Sequence, residues 1–183
     1  MAVIIDMSKA YDRLEWGFIN SVLERLGFHQ TWRIWIMQCV TTVSYSYLLN
    51  DTAQGSIIPQ RGIRQGDPLS PYLFILCSEV LSGLCNKVQL ENKHTGINVK
   101  EKPPDQPPSF CRSDKQNCDA LLEILKKYEL ASGQMINPLK SALTFSPKTP
   151  TTIKERIKLQ LGIEKEGGLG KYLGLPELFG RKK

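Results

Sequence analysis

The sequence predicts an α+β fold, and three observations carry that reading. Short apolar runs, Ala2-Val3-Ile4-Ile5 and the segments 43–49 and 55–58, have strand character. Longer stretches repeat apolar residues at helical spacing, as Phe18, Ile19, Val22, Leu23 and Leu26 do. Glycines and capping residues mark the boundaries between the two kinds.

Residues 2–5 read as a buried strand ending at a carboxylate, Asp6. A charge there must be solvated, paired, metal-bound or used as a helix cap. A central strand this close to the first methionine leads us to expect that chain is missing before it. Residues 14–26 are helical, with Gly27 as a left-handed stop. Thr31 is the expected cap of a second helix, with Trp32, Trp35, Ile36, Cys39 and Val40 on its buried side. Tryptophans at that spacing fit a core, although an indole pair can also stack on bases. The turn-rich residues 50–54 join the next two strands into a hairpin.

The hairpin leads through Gln60 and Arg61 to Gly62-Ile63-Arg64-Gln65-Gly66-Asp67-Pro68-Leu69-Ser70-Pro71-Tyr72-Leu73-Phe74. Two glycines and Pro68 prevent regular structure in this loop. Ser70 is then expected to cap a helix with Pro71 in its first position. Leu73, Phe74, Cys77, Leu81 and Leu84 give that helix a buried face as far as about Lys87. Such a loop is either a plain turn into a core helix or an anion site at a helix N-terminus. Arg61 and Arg64 flank it, placed to meet phosphates or solvent.

After Lys87 the pattern lapses. Residues 100–108 hold four prolines in nine positions, so no internal strand passes through them. Ser113 and Gln116 form a capping box for a helix with Cys118, Leu121, Leu122, Leu125 and Tyr128 on one face, ended by Gly133. A last amphipathic helix carries Ile153, Ile157 and Leu161 and closes at Gly162.

With 183 residues and 41% hydrophobic composition, the chain can bury a core. Its net charge of +6 suggests an anionic partner, nucleic acid first, or only a soluble basic surface. Five cysteines without a Cys-x-x-Cys pair, beside two isolated histidines, argue against zinc and read as reduced thiols of an intracellular protein. No apolar run reaches membrane-spanning length and no signal-peptide pattern is seen, so no membrane partner is expected.

Residues 62–74 closely resemble motif B of reverse transcriptases, especially those of LINE-type (non-LTR) retrotransposons. The earlier Asp6-Met7-Ser8-Lys9-Ala10-Tyr11-Asp12 resembles motif A of the same family. Residues 131–137 with 140–145 resemble its motif D, and Gly170-Lys171-Tyr172-Leu173-Gly174-Leu175-Pro176 its palm-to-thumb segment. The resemblance implies a polymerase palm-like domain with the fingers mostly missing. It places a palm-like region at 1–145 and a palm/thumb boundary segment at 146–183. It further implies that Asp6 is a metal-binding carboxylate and that Asp12 is structural. By the same resemblance Tyr11 blocks a ribose 2′-hydroxyl, and Arg64, Gln65, Gly66 and Pro68 lie against nucleotide and template. Lys140 would either assist the departing pyrophosphate or be a solvated turn lysine. Mg²⁺, an RNA template, a DNA primer and deoxynucleoside triphosphates are the implied cofactor and partners.

One part of the family pattern is absent. Phe or Tyr-Ala-Asp-Asp between two strands should separate motifs B and D, yet no Asp-Asp pair occurs in the sequence. The proline-rich residues 100–108 stand there instead, with 109–112 as a remnant of the return strand. Asp105 and Asp114 are poor substitutes. The expectation is therefore a catalytically inactive relative, with a noncatalytic nucleic-acid-binding module or a decayed or mis-joined gene product as alternatives.

Overall fold

In the computed structural model, residues 1–90, 115–146, 149–167, 171–172 and 175–176 are described. The elements run β1 (Ala2–Ile4), α1 (Ala10–Arg13), α2 (Trp16–Arg25), α3 (Gln30–Thr41), β2 (Tyr45–Leu49), β3 (Thr52–Ile57) and α4 (Ser70–Leu90). After these come α5 (Lys115–Ser132), β4 (Ala142–Thr144), α6 (Thr151–Leu161), β5 (Lys171–Tyr172) and β6 (Leu175–Pro176). The mixture is α+β. The residues divide into two units: Met1–Ser8 with Ser82–Lys126 and Ile136–Lys183, and Lys9–Leu81 with Lys127–Met135.

In the first unit β1 pairs antiparallel with β4, in the register Ala2↔Thr144, Val3↔Leu143 and Ile4↔Ala142. The other edge of β4 is also engaged. Leu143 donates to the carbonyl of Lys165 at 2.9 Å and accepts from Gly167 at 2.8 Å. Leu143 and Ile157 are fully buried in a core with Met1, Cys118 and Ile163, where a large aliphatic side chain gives up the most water contact. Glu166 meets Lys158 at 2.8 Å and Lys154 at 3.5 Å, and these ammonium groups hold its carboxyl below its ordinary pKa. The strand expected to be fully buried is not. Val3, Ile4 and Ile5 are half-buried, and among the described residues β1 has a strand neighbour on one side.

The second unit packs Leu14, Ile19, Val22, Leu23, Ile36, Val40, Ile63, Leu73 and Cys77 into one core. The α2 face is as expected except for Leu26, which is 54% exposed because the helix stops at Arg25 and turns at Gly27 (φ 83°). The face expected of α3 is corrected further. Ile36 and Val40 are buried, but Trp35 is 60% exposed and Trp32 37%, and Cys39 is exposed too. Trp32 instead stacks on Phe28, with ring centroids 4.5 Å apart. The α3 cap is also not Thr31: His29 holds that position, and its Nδ1 accepts from the Thr31 N–H. The hairpin is tighter than expected, because Leu49 pairs with Thr52 and leaves Asn50 and Asp51 as the whole turn. Their φ values, 49° and 62°, suit a primed two-residue turn, whose twist matches that of the strands.

Helix α5 buries Cys118, Leu121, Leu125 and Tyr128 as expected, whereas Leu122 is only half-buried, and Gly133 (φ 73°) ends the helix. Gly162 (φ 66°) closes α6 in the same way. The proline-rich residues 100–108, the remnant 109–112, Asp105, Asp114 and the Ser113 cap lie outside the described residues.

Candidate functional site

In the first unit the site is organised by the backbone of Asp6, just past β1. Its N–H donates to the Ser141 Oγ at 3.0 Å, and its carbonyl accepts from the Asn137 N–H at 2.8 Å. Ser141 is fully buried, so its hydroxyl is a fixed acceptor rather than a solvated one. The Asn137 carbonyl accepts from Ser141 at 2.9 Å and from Lys140 at 3.2 Å, closing a tight turn. Lys140 sits exposed on that turn.

In the second unit the segment around Tyr11 and the loop 62–74 are bound together. Ile63 donates to the Tyr11 carbonyl at 2.9 Å, and Gly62 donates to that of Leu14 at 2.8 Å. The Trp16 indole N–H donates back to the Gly62 carbonyl at 2.7 Å. Gly62 has φ 87°, and a Cβ there would lie 2.8 Å from the Asp12 carbonyl oxygen. Only glycine fits both conditions.

The Tyr11 ring stacks on Phe74, with centroids 5.1 Å apart and planes within 13°. Tyr11, Gln65, Gly66, Asp67, Pro68 and Pro71 line an open recess of about 610 Å³. Arg64 lies on a neighbouring recess with Arg61, Asp12, Cys39 and Tyr45, and Gln65 and Asp67 line both. Arg61 meets Glu15 at 3.3 Å, both side chains being largely solvated. Asp67, not Ser70, supplies the side-chain acceptor where α4 begins: its Oδ1 takes the Leu69 N–H at 2.8 Å. Ser70 is already the first residue of the helix and is buried.

Beneath the loop, burial pushes the Cys77 thiol from 9.0 up to about 12. Tyr128 also rises to about 12, through burial first and the neighbouring Cys77 second. Its hydroxyl donates to the Cys77 carbonyl at 3.4 Å, and Phe18 meets its ring edge-on.

Of the residues expected at the site, Tyr11, Gln65, Gly66 and Pro68 come together on one recess and Arg64 on the next, all in the second unit. Asp6 and Lys140 belong to the first. Sequence reasoning missed two contributors. Helical spacing marks Phe74 only as a core residue, yet it is the stacking partner of Tyr11. Gln134 is 3% exposed, and its Nε2 donates to the Ala10 carbonyl at 2.7 Å, tying down α1. Its place one residue after the helix-ending Gly133 was the available signal. As for a metal, two divalent ions need a converging set of carboxylate oxygens. Among the described residues no group of three or more His, Cys, Asp or Glu converges.

Comparison with known proteins bears on this arrangement. A family model described as reverse transcriptase (RNA-dependent DNA polymerase) matches residues 1–99, more than half of the chain. An uncharacterized mitochondrial protein of Arabidopsis thaliana is 55% identical over 58 residues, 32% of this chain. The match spans about half, 48%, of that relative's length.

Proposed function

The chain belongs to the reverse transcriptase family of RNA-dependent DNA polymerases, and on that premise we propose that it is a palm-like domain of a LINE-type, non-LTR retroelement that lacks catalytic activity. A single observation carries the second half of this reading. No Asp-Asp pair exists in the sequence, and residues 100–108, with four prolines, stand between the loop 62–74 and the turn at Lys140 where such a hairpin is expected.

In this reading Asp6 is the one metal-binding carboxylate retained, and Lys140 is the basic group on the side of the departing pyrophosphate. Tyr11, Arg64, Gln65, Gly66 and Pro68 face nucleotide and template. The stack of Tyr11 on Phe74 and the Ile63–Tyr11 hydrogen bond support it, because they hold a family-like aromatic beside a family-like loop. Mg²⁺, when bound to an intact member of the family, supplies the positive charge for nucleotidyl transfer. Here the second carboxylate arm is missing, and what remains is the capacity to hold an RNA template and a DNA primer without extending the primer.

Reading the uninterrupted gene between the codons for Gly96 and Ser109 tests this. A reading frame that continues as the protein does supports the inactive chain. An in-frame Phe or Tyr-Ala-Asp-Asp between those codons would mean that a mis-joined product has replaced an active enzyme.

A further inference from the structure

Trp35 and Tyr47, two exposed aromatic side chains of the second unit, have no part in the site described above. Trp35 is 60% exposed and Tyr47 56%, while Trp32 and Tyr45 lie near the one-third mark. Trp32, Trp35 and Cys39 fall on one stripe of α3, since residues three and four apart are neighbours on a helix. Cys39 and Tyr45 both line the recess that also holds Arg61 and Arg64. The aromatic stripe therefore runs into the two arginines.

The hairpin continues the pattern. All its strand residues are exposed, and it forms a two-stranded sheet among the described residues. Gly55 has φ 68°, and a Cβ there would lie 2.6 Å from Tyr47 Cε1. The Tyr47 ring thus lies across β3 where only a glycine leaves room for it. An aromatic placed this way is held for contact and pays little entropy on meeting a flat ligand.

We propose that α3 and the β2–β3 hairpin form a track for single-stranded nucleic acid, with Trp35 and Tyr47 stacking on bases and Arg61 and Arg64 meeting phosphates. The proposal rests on the family reading but adds residues outside the loop 62–74 and the Tyr11 segment. Aromatic faces accept every base, so the track is sequence-tolerant. The electrostatic share is small. Asp12 and Asp67 line the same recess, and Glu15 already meets Arg61. With at most two phosphates neutralised, the log–log salt slope is limited to about −1.4, or roughly sevenfold between 50 and 200 mM. Stacking must supply the rest.

Tryptophan emission of the full chain, titrated with a 12-nucleotide oligo(U), tests the proposal directly. Binding should quench the exposed indoles. Trp35→Ala and Tyr47→Ala should each weaken it by about 5- to 150-fold, with the fold of each variant checked by circular dichroism. Trp35→Phe should retain most of the affinity, since a phenyl ring still stacks. Oligo(U) binding that neither alanine variant weakens would overturn the track while leaving the family reading intact. A chain that binds neither oligo(U) nor an RNA–DNA hybrid would defeat both. Loss of self-association in Trp35→Ala, with no effect on oligo(U), would make this face a contact between copies and overturn the proposal.

Discussion

The backbone N–H of Asp6 is held by the hydroxyl of Ser141, 3.0 Å away and separated from it by 135 residues of sequence. Asn137 holds the carbonyl of the same residue at 2.8 Å. The position of the acidic residue is thus set by a segment distant in sequence, a turn on which Lys140 is exposed.

Ser141→Ala removes a buried acceptor and leaves the Asp6 N–H without its partner. An unsatisfied group of this kind costs about 1–3 kcal/mol. The variant should unfold at lower urea by that amount, and the Asp6 amide should exchange with solvent faster. Ser141→Thr keeps the oxygen and should recover most of the protection at Asp6. Unchanged exchange at Asp6 in the alanine variant would show that the clamp does not hold in solution.

Two glycines of the loop give a paired test. Both Gly62 and Gly66 have positive φ, 87° and 83°. At Gly62 a Cβ would also strike the Asp12 carbonyl, whereas nothing lies within 4 Å at Gly66. Gly66→Ala should cost about 1–2 kcal/mol from backbone strain alone. Gly62→Ala should cost more than that, because it must also disturb the loop's hydrogen bonds to Tyr11 and Leu14. Equal losses in urea unfolding would contradict the close approach.

The alkaline limb of stability should report Cys77 and Tyr128. Both are acids whose folded pKa lies near 12, above the ordinary 9.0 and 10.0. Each favours the unfolded chain once the unfolded group ionises. Their contribution is complete below pH 9 and is lost as pH rises from 9 towards 12. The urea midpoint should therefore fall above pH 9, and fall less in Cys77→Ala when each variant is compared with its own value at pH 7. The same burial makes Cys77 slow to react with a thiol reagent at pH 8, whereas the exposed Cys39 reacts at once. A midpoint flat to pH 10.5 would contradict this assignment.

Much of this structure is legible in the sequence where one local signal decides the outcome. Gly27, Gly133 and Gly162 end their helices because each adopts a left-handed φ that other residues resist. The hairpin is visible in its strand composition, although its turn proves to need two residues rather than five. What is not legible depends on neighbours. Trp35 has the spacing of a core residue, yet spacing fixes only the face of a helix and not whether anything covers it. Ser70 is not the cap expected of it because the helix begins one residue earlier and places it inside, while Asp67 accepts the Leu69 N–H in an Asx turn just before the helix. The recess around Tyr11 follows from its loop and aromatic residues, but the part of Phe74 appears only when the rings are seen to stack.

Primer extension on an RNA template, run side by side for the unmodified chain and Asp6→Asn, tests the central claim most directly. Removing preorganised charge from a reaction centre commonly costs several orders of magnitude in rate, since each 1.36 kcal/mol is about tenfold. In the proposed reading an entire carboxylate arm is wanting, since no Asp-Asp pair occurs in the sequence. With Mg²⁺ or Mn²⁺ and all four deoxynucleotides, neither protein should add a nucleotide to an annealed primer, and the two lanes should be identical. Template-dependent extension by the unmodified chain, abolished in Asp6→Asn, would contradict the inactive reading and show that a second set of acidic ligands completes the site.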